Sequence, residues 1–121
     1  MLKNKKIGFI GGGNMAEAIL KGMLSSSLIK ASNIFVSEPN KSRQNFLTTE
    51  FKVKVAKDNL DLVKKADILI VAVKPQIIRE VLKDIANQVD SKKLVISVAA
   101  GVPISQIENA LSKGNKKKLC V

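Results

Sequence analysis

Three consecutive glycines, Gly11 to Gly13, separate a short apolar run from an amphipathic segment near the start of the chain. Glycine loses more backbone freedom on folding than any other residue, so a glycine triplet is costly in regular structure. Such a triplet is expected where the backbone must turn sharply or where another group approaches it closely. The stretch IGFIGGGNMA therefore predicts a strand, a tight turn and the start of a helix.

The rest of the chain alternates in the same way between short apolar runs and longer amphipathic segments. The apolar runs, which predict strands, are Ile7 to Ile10, Ile34 to Ser37, Val53 to Val55, Ile68 to Val73 and Leu94 to Val98. The amphipathic segments, which predict helices, are Met15 to Leu24, Lys41 to Phe51, Leu60 to Lys65, Gln76 to Val89 and Ile104 to Leu111. Because alternating strands and helices form a parallel sheet covered on both faces, we predict a doubly wound parallel α/β sheet. A length of 121 residues suits one such domain, 1–121.

Composition excludes several other classes of protein. The longest apolar run, Ile68 to Val73, is far shorter than the roughly 18 residues that span a bilayer, and we expect no secretory leader. We therefore expect a cytoplasmic protein that does not bind membranes. Cys120 is the only cysteine and the chain has no histidine, which excludes an internal disulfide, an ordinary zinc site and Ser-His catalysis.

The formal net charge of +11 raises the alternative of nucleic-acid binding. The lysines are spread along the chain, however, and there is no tyrosine or tryptophan to stack on bases. Scattered lysines are typical of a solvated surface, so we expect no nucleic-acid partner. The run from Lys116 to Lys118 is the only local cluster that would support the alternative.

The glycine loop matches the dinucleotide-binding pattern Gly11-x-Gly13-x-x-Ala16. Gly11 allows the tight turn, Gly13 lets the main chain approach a pyrophosphate, and the small Ala16 lets the helix pack closely on the strand. The free amides at the start of the helix and its dipole then favour an anion. Gly8 lies inside the first predicted strand, where we expect it to serve packing.

The end of the second predicted strand bears on the choice of cofactor. Glu38 is placed to accept hydrogen bonds from the adenosine ribose, which favours NAD over NADP. The same turn carries residues that could meet a 2′-phosphate, namely Ser37, Lys41, Ser42 and Arg43. An ordinary polar turn explains these residues equally well, so the choice between NAD(H) and NADP(H) stays open here.

Two further segments follow predicted strands at the edge where open sheets bind ligands. In AVKPQ, Pro75 fixes the backbone and Lys74 is expected near the glycine loop. In VAAGVP, the small residues Ala99 to Gly101 leave room for a flat ring, and Pro103 suits the first turn of a helix. A surface lysine and a plain helix entry are the alternative interpretations.

The motifs IGFIGGGNMAEAI, DILIVAVKPQ and VISVAAGV, in this order, closely resemble the amino-terminal domain of pyrroline-5-carboxylate reductases. The glycine loop occurs in many reductases, whereas AVKPQ followed by AAGV is much more specific. The resemblance covers nearly the whole chain and implies a Rossmann-type dinucleotide-binding domain. It also implies the family's reaction, in which hydride transfer from NADPH or NADH reduces the cyclic imine (S)-1-pyrroline-5-carboxylate to L-proline.

The resemblance implies three groups of cofactor-binding residues. The pyrophosphate is expected at Ile10, Gly11, Gly12, Gly13, Asn14 and Met15, the adenosine end at Ser37, Glu38 and Asn59, and the nicotinamide side at Ala72, Val73, Lys74, Pro75, Val98, Ala99 and Ala100. Residues of these kinds position a ring and perform no acid–base chemistry, so we assign no catalytic residue within this chain.

Members of the family continue past KKLCV into a further strand and a helical carboxyl-terminal domain, which forms the dimer and completes the imine site. The resemblance therefore implies a homo-oligomer for a full-length member, with the helical domain absent from these 121 residues. Two other functions stay open: a related imine or deazaflavin-dependent NADP reductase, and a non-catalytic nucleotide-binding module.

Overall fold

The computed structural model of the chain, which describes residues 4–89, 93–98 and 119–120, contains a six-stranded parallel sheet. The strands are β1 (Ile7–Ile10), β2 (Ile34–Ser37), β3 (Lys54–Val55), β4 (Ile68–Val71), β5 (Leu94–Ser97) and β6 (Leu119–Cys120). Their order in the sheet is β3-β2-β1-β4-β5-β6, and every neighbouring pair is parallel. The predicted doubly wound parallel sheet is confirmed.

Four α-helices connect the described strands. They are α1 (Asn14–Ser25), α2 (Lys41–Phe51), α3 (Asn59–Lys65) and α4 (Pro75–Ile85). Side-chain caps fix the starts of two of them: Asn40 accepts a hydrogen bond from the amide of Arg43 in α2, and Asp58 accepts one from the amide of Asp61 in α3. Pro75 occupies the first turn of α4, where its missing N–H costs nothing.

The helices bury both faces of the sheet. On the face covered by α1 and α2, the buried core consists of Ile7, Phe9, Ala16, Leu20, Ile29, Ile34, Val36, Leu47, Val53 and Ile70. On the face covered by α3 and α4, it consists of Ile10, Phe35, Ala56, Leu62, Val63, Ala66, Leu69, Val71, Ile78, Leu82, Ile85, Ala86, Val89 and Val95. Because successive strand residues point to opposite faces, β4 is apolar at every position.

The boundaries of the described elements differ from the predicted ones by one residue at several ends, and by more at the ends of β4 and α4. β4 ends at Val71, not Val73, because its pairing with β5 ends at Ser97. α4 ends at Ile85, and a short 3₁₀ helix, Ala86–Gln88, continues the buried stripe toward Val89. The strand β6 was not predicted within this chain, and the predicted helix Ile104 to Leu111 lies outside the described residues.

The longest helix of the described ranges, α1, has 12 residues. No helix in those ranges combines the length and the apolar composition that crossing a bilayer requires.

Gly8 of β1 serves packing, as its position inside the strand predicted. A Cβ atom at this residue would lie 2.8 Å from Cγ of Leu62 and 2.9 Å from Cβ of Ala66. Both atoms belong to buried residues, and Leu62 lies in α3. The missing side chain of Gly8 therefore sets how closely α3 approaches the central strand.

We expect Gly8→Ala to lower the free energy of unfolding by about 1–3 kcal/mol, because the added methyl group overpacks a filled core. Urea unfolding of the whole chain measures this change. Gly22→Ala in α1 is the matched control, since its Cβ meets no described atom within 4 Å. The control should gain about 0.5–1 kcal/mol from the lower cost of ordering alanine in a helix. Equal stability of the two variants would contradict the packing role of Gly8.

Candidate functional site

The carboxyl ends of β1, β2, β4 and β5 meet at one edge of the sheet. The amide of Gly11 donates to the carbonyl of Ser37 over 2.9 Å, and the amide of Ala72 donates to the carbonyl of Ile10 over 2.9 Å. The amide of Val98 donates to the carbonyl of Val71 over 3.1 Å. The strand order reverses between β1 and β4, and open parallel sheets bind their ligands at this switch point.

The turn after β1 depends on the backbone of Gly11, which has a φ of +100°. Residues with a side chain rarely adopt that conformation. A Cβ atom would also lie 2.7 Å from the carbonyl oxygen of Ala72, so the close approach of the β4 end requires glycine as well. The tight turn that the sequence predicted at Gly11 is therefore present.

The amino terminus of α1 begins directly after this turn and has no side-chain cap among the described residues. Its first helical hydrogen bond runs from the amide of Glu17 to the carbonyl of Gly13 over 3.0 Å. The preceding amides of Asn14, Met15 and Ala16 are therefore left without helical acceptors. A Cβ atom at Gly13 would meet no described atom within 4 Å. The space in front of these donors is open, which suits an anion.

The peptide groups on either side of Gly12 are held by side chains from the segment that follows β2. The amide of Gly12 donates to Oε1 of Glu38 over 2.9 Å, and Oε2 of Glu38 accepts the amide of Asn40 over 2.9 Å. On the other side, Nε of Arg43 donates to the carbonyl of Gly12. The sequence predicted Glu38 as a ribose contact, and the structure adds its contact with the loop.

Arg43 also connects α2 to α1. Its Nη2 lies 2.6 Å from Oε1 of Glu17, and its guanidinium lies 4.9 Å from the ring centre of Phe46. Lys21 approaches the other carboxylate oxygen of Glu17 at 3.3 Å. The hydrogen bond from Arg43, followed by that from Lys21, lowers the pKa of the Glu17 carboxyl below its ordinary value of 4.5. Glu17 is therefore ionised at neutral pH, and this ion pair is lost only as the pH falls through the lowered pKa.

Two cavities adjoin the end of β2. One, of about 540 Å³, is lined by Gly13, Glu38, Asn40, Ser42, Arg43 and Phe46. The other, of about 370 Å³, is lined by Ser37, Glu38, Pro39, Gln44, Lys57, Asp58 and Asn59. In the second cavity the hydroxyl of Ser37 donates to Oδ1 of Asn59. The structure thus brings Ser37, Glu38 and Asn59, the predicted adenosine contacts, to one place.

The residues predicted for the nicotinamide side lie across the switch point from that cavity. Ala72 and Val73 follow β4 and border the turn at Gly11. Lys74 is exposed and directly precedes α4, and Pro75 begins that helix. Val98 follows β5 beside the end of β4. The predicted residues Ala99 and Ala100, together with Gly101, Pro103 and Lys116 to Lys118, lie outside the described residues.

Sequence analysis missed six residues that line the two cavities, namely Pro39, Asn40, Gln44, Phe46, Lys57 and Asp58. Asn40, Gln44 and Phe46 all lie in or just before α2, and each contacts or lines the ends of β1 and β2. Gln44 donates from its amide group to the carbonyl of Glu38. The spacing of Arg43 and Phe46 by three residues on a helix was the available signal for their contact.

Residues 6–101 match the model of a protein family described as NADP oxidoreductase, coenzyme F420-dependent. The chain belongs to this family. Its relatives in sequence and in structure show which members of the NADP oxidoreductase, coenzyme F420-dependent family it resembles.

Two curated relatives are pyrroline-5-carboxylate reductases. The chain is 41% identical to the Methanosarcina acetivorans protein over 95% of its own length, and 38% identical to the Escherichia coli protein over 93%. These alignments span 43% and 42% of the two relatives. The chain therefore spans about two fifths of the curated relatives that it matches, and its resemblance to their cofactor domain is confirmed.

Solved structures of pyrroline-5-carboxylate reductases show the same fold. The Coxiella burnetii enzyme superposes with a TM-score of 0.86 at 32% identity, covering 93% of this chain and 42% of that chain. The Plasmodium falciparum enzyme, solved with NADP bound, has a TM-score of 0.82 at 31% identity, covering 95% of this chain and 41% of that one.

We expect Gly11→Ala to destabilise the fold by at least about 2 kcal/mol, since alanine must adopt a positive φ against the carbonyl of Ala72. Gly13→Ala is the control from the same loop. Its φ of −81° is ordinary and its Cβ enters open space. A methyl group at this helix cap should cost less than about 1 kcal/mol. Urea midpoints compare the two, and a Gly11→Ala variant as stable as Gly13→Ala would contradict the strained turn.

Proposed function

We propose that this chain is the nicotinamide-dinucleotide-binding domain of a pyrroline-5-carboxylate reductase. The bound cofactor is NADH or NADPH, and the reaction reduces (S)-1-pyrroline-5-carboxylate to L-proline in proline biosynthesis. The similarity of the chain to the amino-terminal two fifths of such reductases supports this assignment.

The observation that carries the cofactor role is the uncapped start of α1 at the switch point. Helix starts are ordinarily satisfied by a side-chain acceptor, yet the described structure provides none for α1. Three consecutive amides there lack helical acceptors, and a Cβ at Gly13, which directly precedes them, would enter open space. A pyrophosphate supplies the acceptors that are missing and a negative charge at the positive end of the helix dipole.

The residues described at the ends of β1 and β2 suit the pyrophosphate and the adenosine end of such a dinucleotide. The amides of Asn14 and Met15 would hold the pyrophosphate, while Ile10 and Gly11 shape the turn. The cavities beside Glu38 and Asn59 would take the adenosine end. Ala72 to Pro75 and Val98 to Ala100 would border the nicotinamide ring.

A nicotinamide held there would supply a hydride to the imine carbon. An imine carbon is electrophilic when protonated, so the protein's chief task is to hold donor and acceptor in a reactive geometry. The small residues that follow β5 in the sequence, Ala99 to Gly101, suit that positioning role, because small side chains let a flat ring approach the main chain.

The same proposal includes the location and the partners of the protein. We place it in the cytoplasm, acting on a small imine with no membrane or nucleic-acid partner. A full-length protein of this kind forms a homo-oligomer through a helical carboxyl-terminal domain, which would complete the imine site.

We expect Gly13→Val to abolish binding of NADH and NADPH while the fold persists. The valine side chain would fill the space in front of the α1 amides, and no described atom of the protein obstructs it. Calorimetric titration of both dinucleotides into the purified chain measures binding, and circular dichroism monitors the fold.

Gly22→Val is the matched control, because it places the same side chain in open space on the same helix. This variant should bind like the unaltered chain. A dissociation constant for Gly13→Val within about threefold of the control value would exclude the loop as the phosphate site. Such a change is well short of the tenfold that corresponds to roughly 1.4 kcal/mol. Absence of binding to the unaltered chain at millimolar concentration would refute the cofactor role itself.

We also expect the 121 residues alone to bind a dinucleotide without reducing the imine at an appreciable rate. A hydride donor whose acceptor is not positioned loses an orientation advantage that can reach about 7–11 kcal/mol. The decrease in NADPH or NADH absorbance in the presence of pyrroline-5-carboxylate measures turnover. Turnover near 1 s⁻¹, within the ordinary enzyme range, would show that this domain suffices for the reaction.

A deazaflavin-dependent NADP reductase is the second candidate, and the description of the matched family favours it. Repeating the absorbance assay on a full-length protein of this kind, with a deazaflavin acceptor in place of the imine, distinguishes the two. Oxidation of NADPH with the deazaflavin but not with the imine would support this second function.

A further inference from the structure

The larger cavity at the end of β2 contains two charged side chains that bear on any adenosine ribose bound there. Among its described lining residues, Glu38 is the carboxylate and Arg43 is the cation. A 2′-phosphate would be attracted by Arg43 and repelled by Glu38, whereas a 2′-hydroxyl could donate a hydrogen bond to Glu38. Whether the cavity prefers a ribose with a 2′-hydroxyl or one with a 2′-phosphate therefore depends on how freely Glu38 and Arg43 can contact it.

Glu38 is fixed in the cavity wall. Each of its carboxylate oxygens accepts one backbone amide, from Gly12 and from Asn40, both over 2.9 Å. A carboxylate oxygen accepts more than one hydrogen bond, so capacity for a ribose hydroxyl remains. Rotating this side chain away from a phosphate would break both contacts.

Arg43, by contrast, is already engaged within the protein. Nε donates to the carbonyl of Gly12, and Nη2 donates to Oε1 of Glu17 over 2.6 Å. The side chains of Arg43 and Glu17 are only 24% and 20% exposed, so water screens this pair less than a surface pair. The guanidinium also lies against the ring of Phe46, which fixes its plane.

The other basic side chains nearby would attract a 2′-phosphate only weakly. Lys21 contacts Glu17 at 3.3 Å but its side chain is 63% exposed, and Lys41 is exposed at the start of α2. Exposed lysines are strongly hydrated and screened by salt. Among the described residues around the cavity, the partly buried charged groups are therefore two carboxylates, Glu17 and Glu38, and one cation, Arg43.

We propose that Glu17 is a positioning residue that, by pairing with Arg43, keeps this cavity selective for the 2′-hydroxyl of NADH over the 2′-phosphate of NADPH. The inference rests on the proposed cofactor role of the site. Glu17 lies outside the lining of the cavity and acts through the guanidinium. The two contacts of Arg43 use two of the five N–H donors of its guanidinium, so a phosphate would share Arg43 with Glu17, whose negative charge weakens the attraction.

The test compares the dissociation constants of NADH and NADPH for the whole chain by calorimetry, at an ionic strength of about 0.15 M. We expect the unaltered chain to bind NADH more tightly. Glu17→Gln should shift the ratio of the two constants toward NADPH by about tenfold, equivalent to roughly 1.4 kcal/mol. The ratio is the decisive measurement, because a general change in loop structure alters both affinities together. A change in net charge affects the more highly charged NADPH more strongly than NADH, so the ratio must be compared with that of a charge-matched control.

Glu50→Gln is the matched control. It makes the same substitution at an exposed glutamate of α2, seven residues beyond Arg43 and so about 10 Å along the helix axis. This variant should leave the ratio unchanged. Glu17→Asp keeps the charge but shortens the side chain by one methylene, so it should shift the ratio in the same direction as Glu17→Gln even if that variant folds poorly.

The double variant Glu17→Gln/Arg43→Met should return the ratio to that of the unaltered chain, since the gain for NADPH requires the guanidinium. The fragments 2′,5′-ADP and 5′-AMP repeat the comparison without a nicotinamide ring. Tighter binding of NADPH by the unaltered chain, or a Glu17→Gln ratio within threefold of the Glu50→Gln ratio, would overturn the inference. Failure of both dinucleotides to bind any variant would instead refute the proposed cofactor role.

Discussion

The positive φ of Gly11 is the constraint on which the rest of the site depends. It lets the chain leave β1 within one residue while the amide of Gly11 bonds to the end of β2. Its missing side chain admits the carbonyl of Ala72 from the end of β4. Three strand ends therefore converge on one turn, and α1 must begin at the switch point with its first amides directed toward open space.

The segment after β2 stabilises this turn through a second glycine. Glu38 accepts the amide of Gly12, and Arg43 donates to its carbonyl. The Arg43–Glu17 ion pair then joins α2 to α1. The residues that border the adenosine cavity thus also hold the glycine loop. Substitutions in this turn should consequently affect the loop and the cavity together. The ratio of the dissociation constants of NADH and NADPH is therefore more informative here than either constant alone.

The periodicity of the sequence predicted most elements because burial on both faces leaves a strong pattern. β1 and β2 have their predicted bounds, as does α2 from Lys41 to Phe51. The pattern failed where an apolar residue is buried or partly buried outside regular structure. Val73 follows the end of β4, and Val89 is buried after a 3₁₀ turn, so hydrophobicity alone extended the strand and the helix too far.

The sequence by itself determined the alternating parallel fold, the tight turn at Gly11, the packing role of Gly8 and the edge at which the candidate residues gather. These follow from local periodicity and from the special conformations of glycine, which adjacent residues specify. Only the tertiary structure decided the pairing of Arg43 with Glu17 and the engagement of Glu38 by the amide of Gly12. In each pair the two residues are 26 positions apart and lie in separate segments of the chain. The periodicity of a sequence predicts neighbours within one element, and it does not predict contacts between elements.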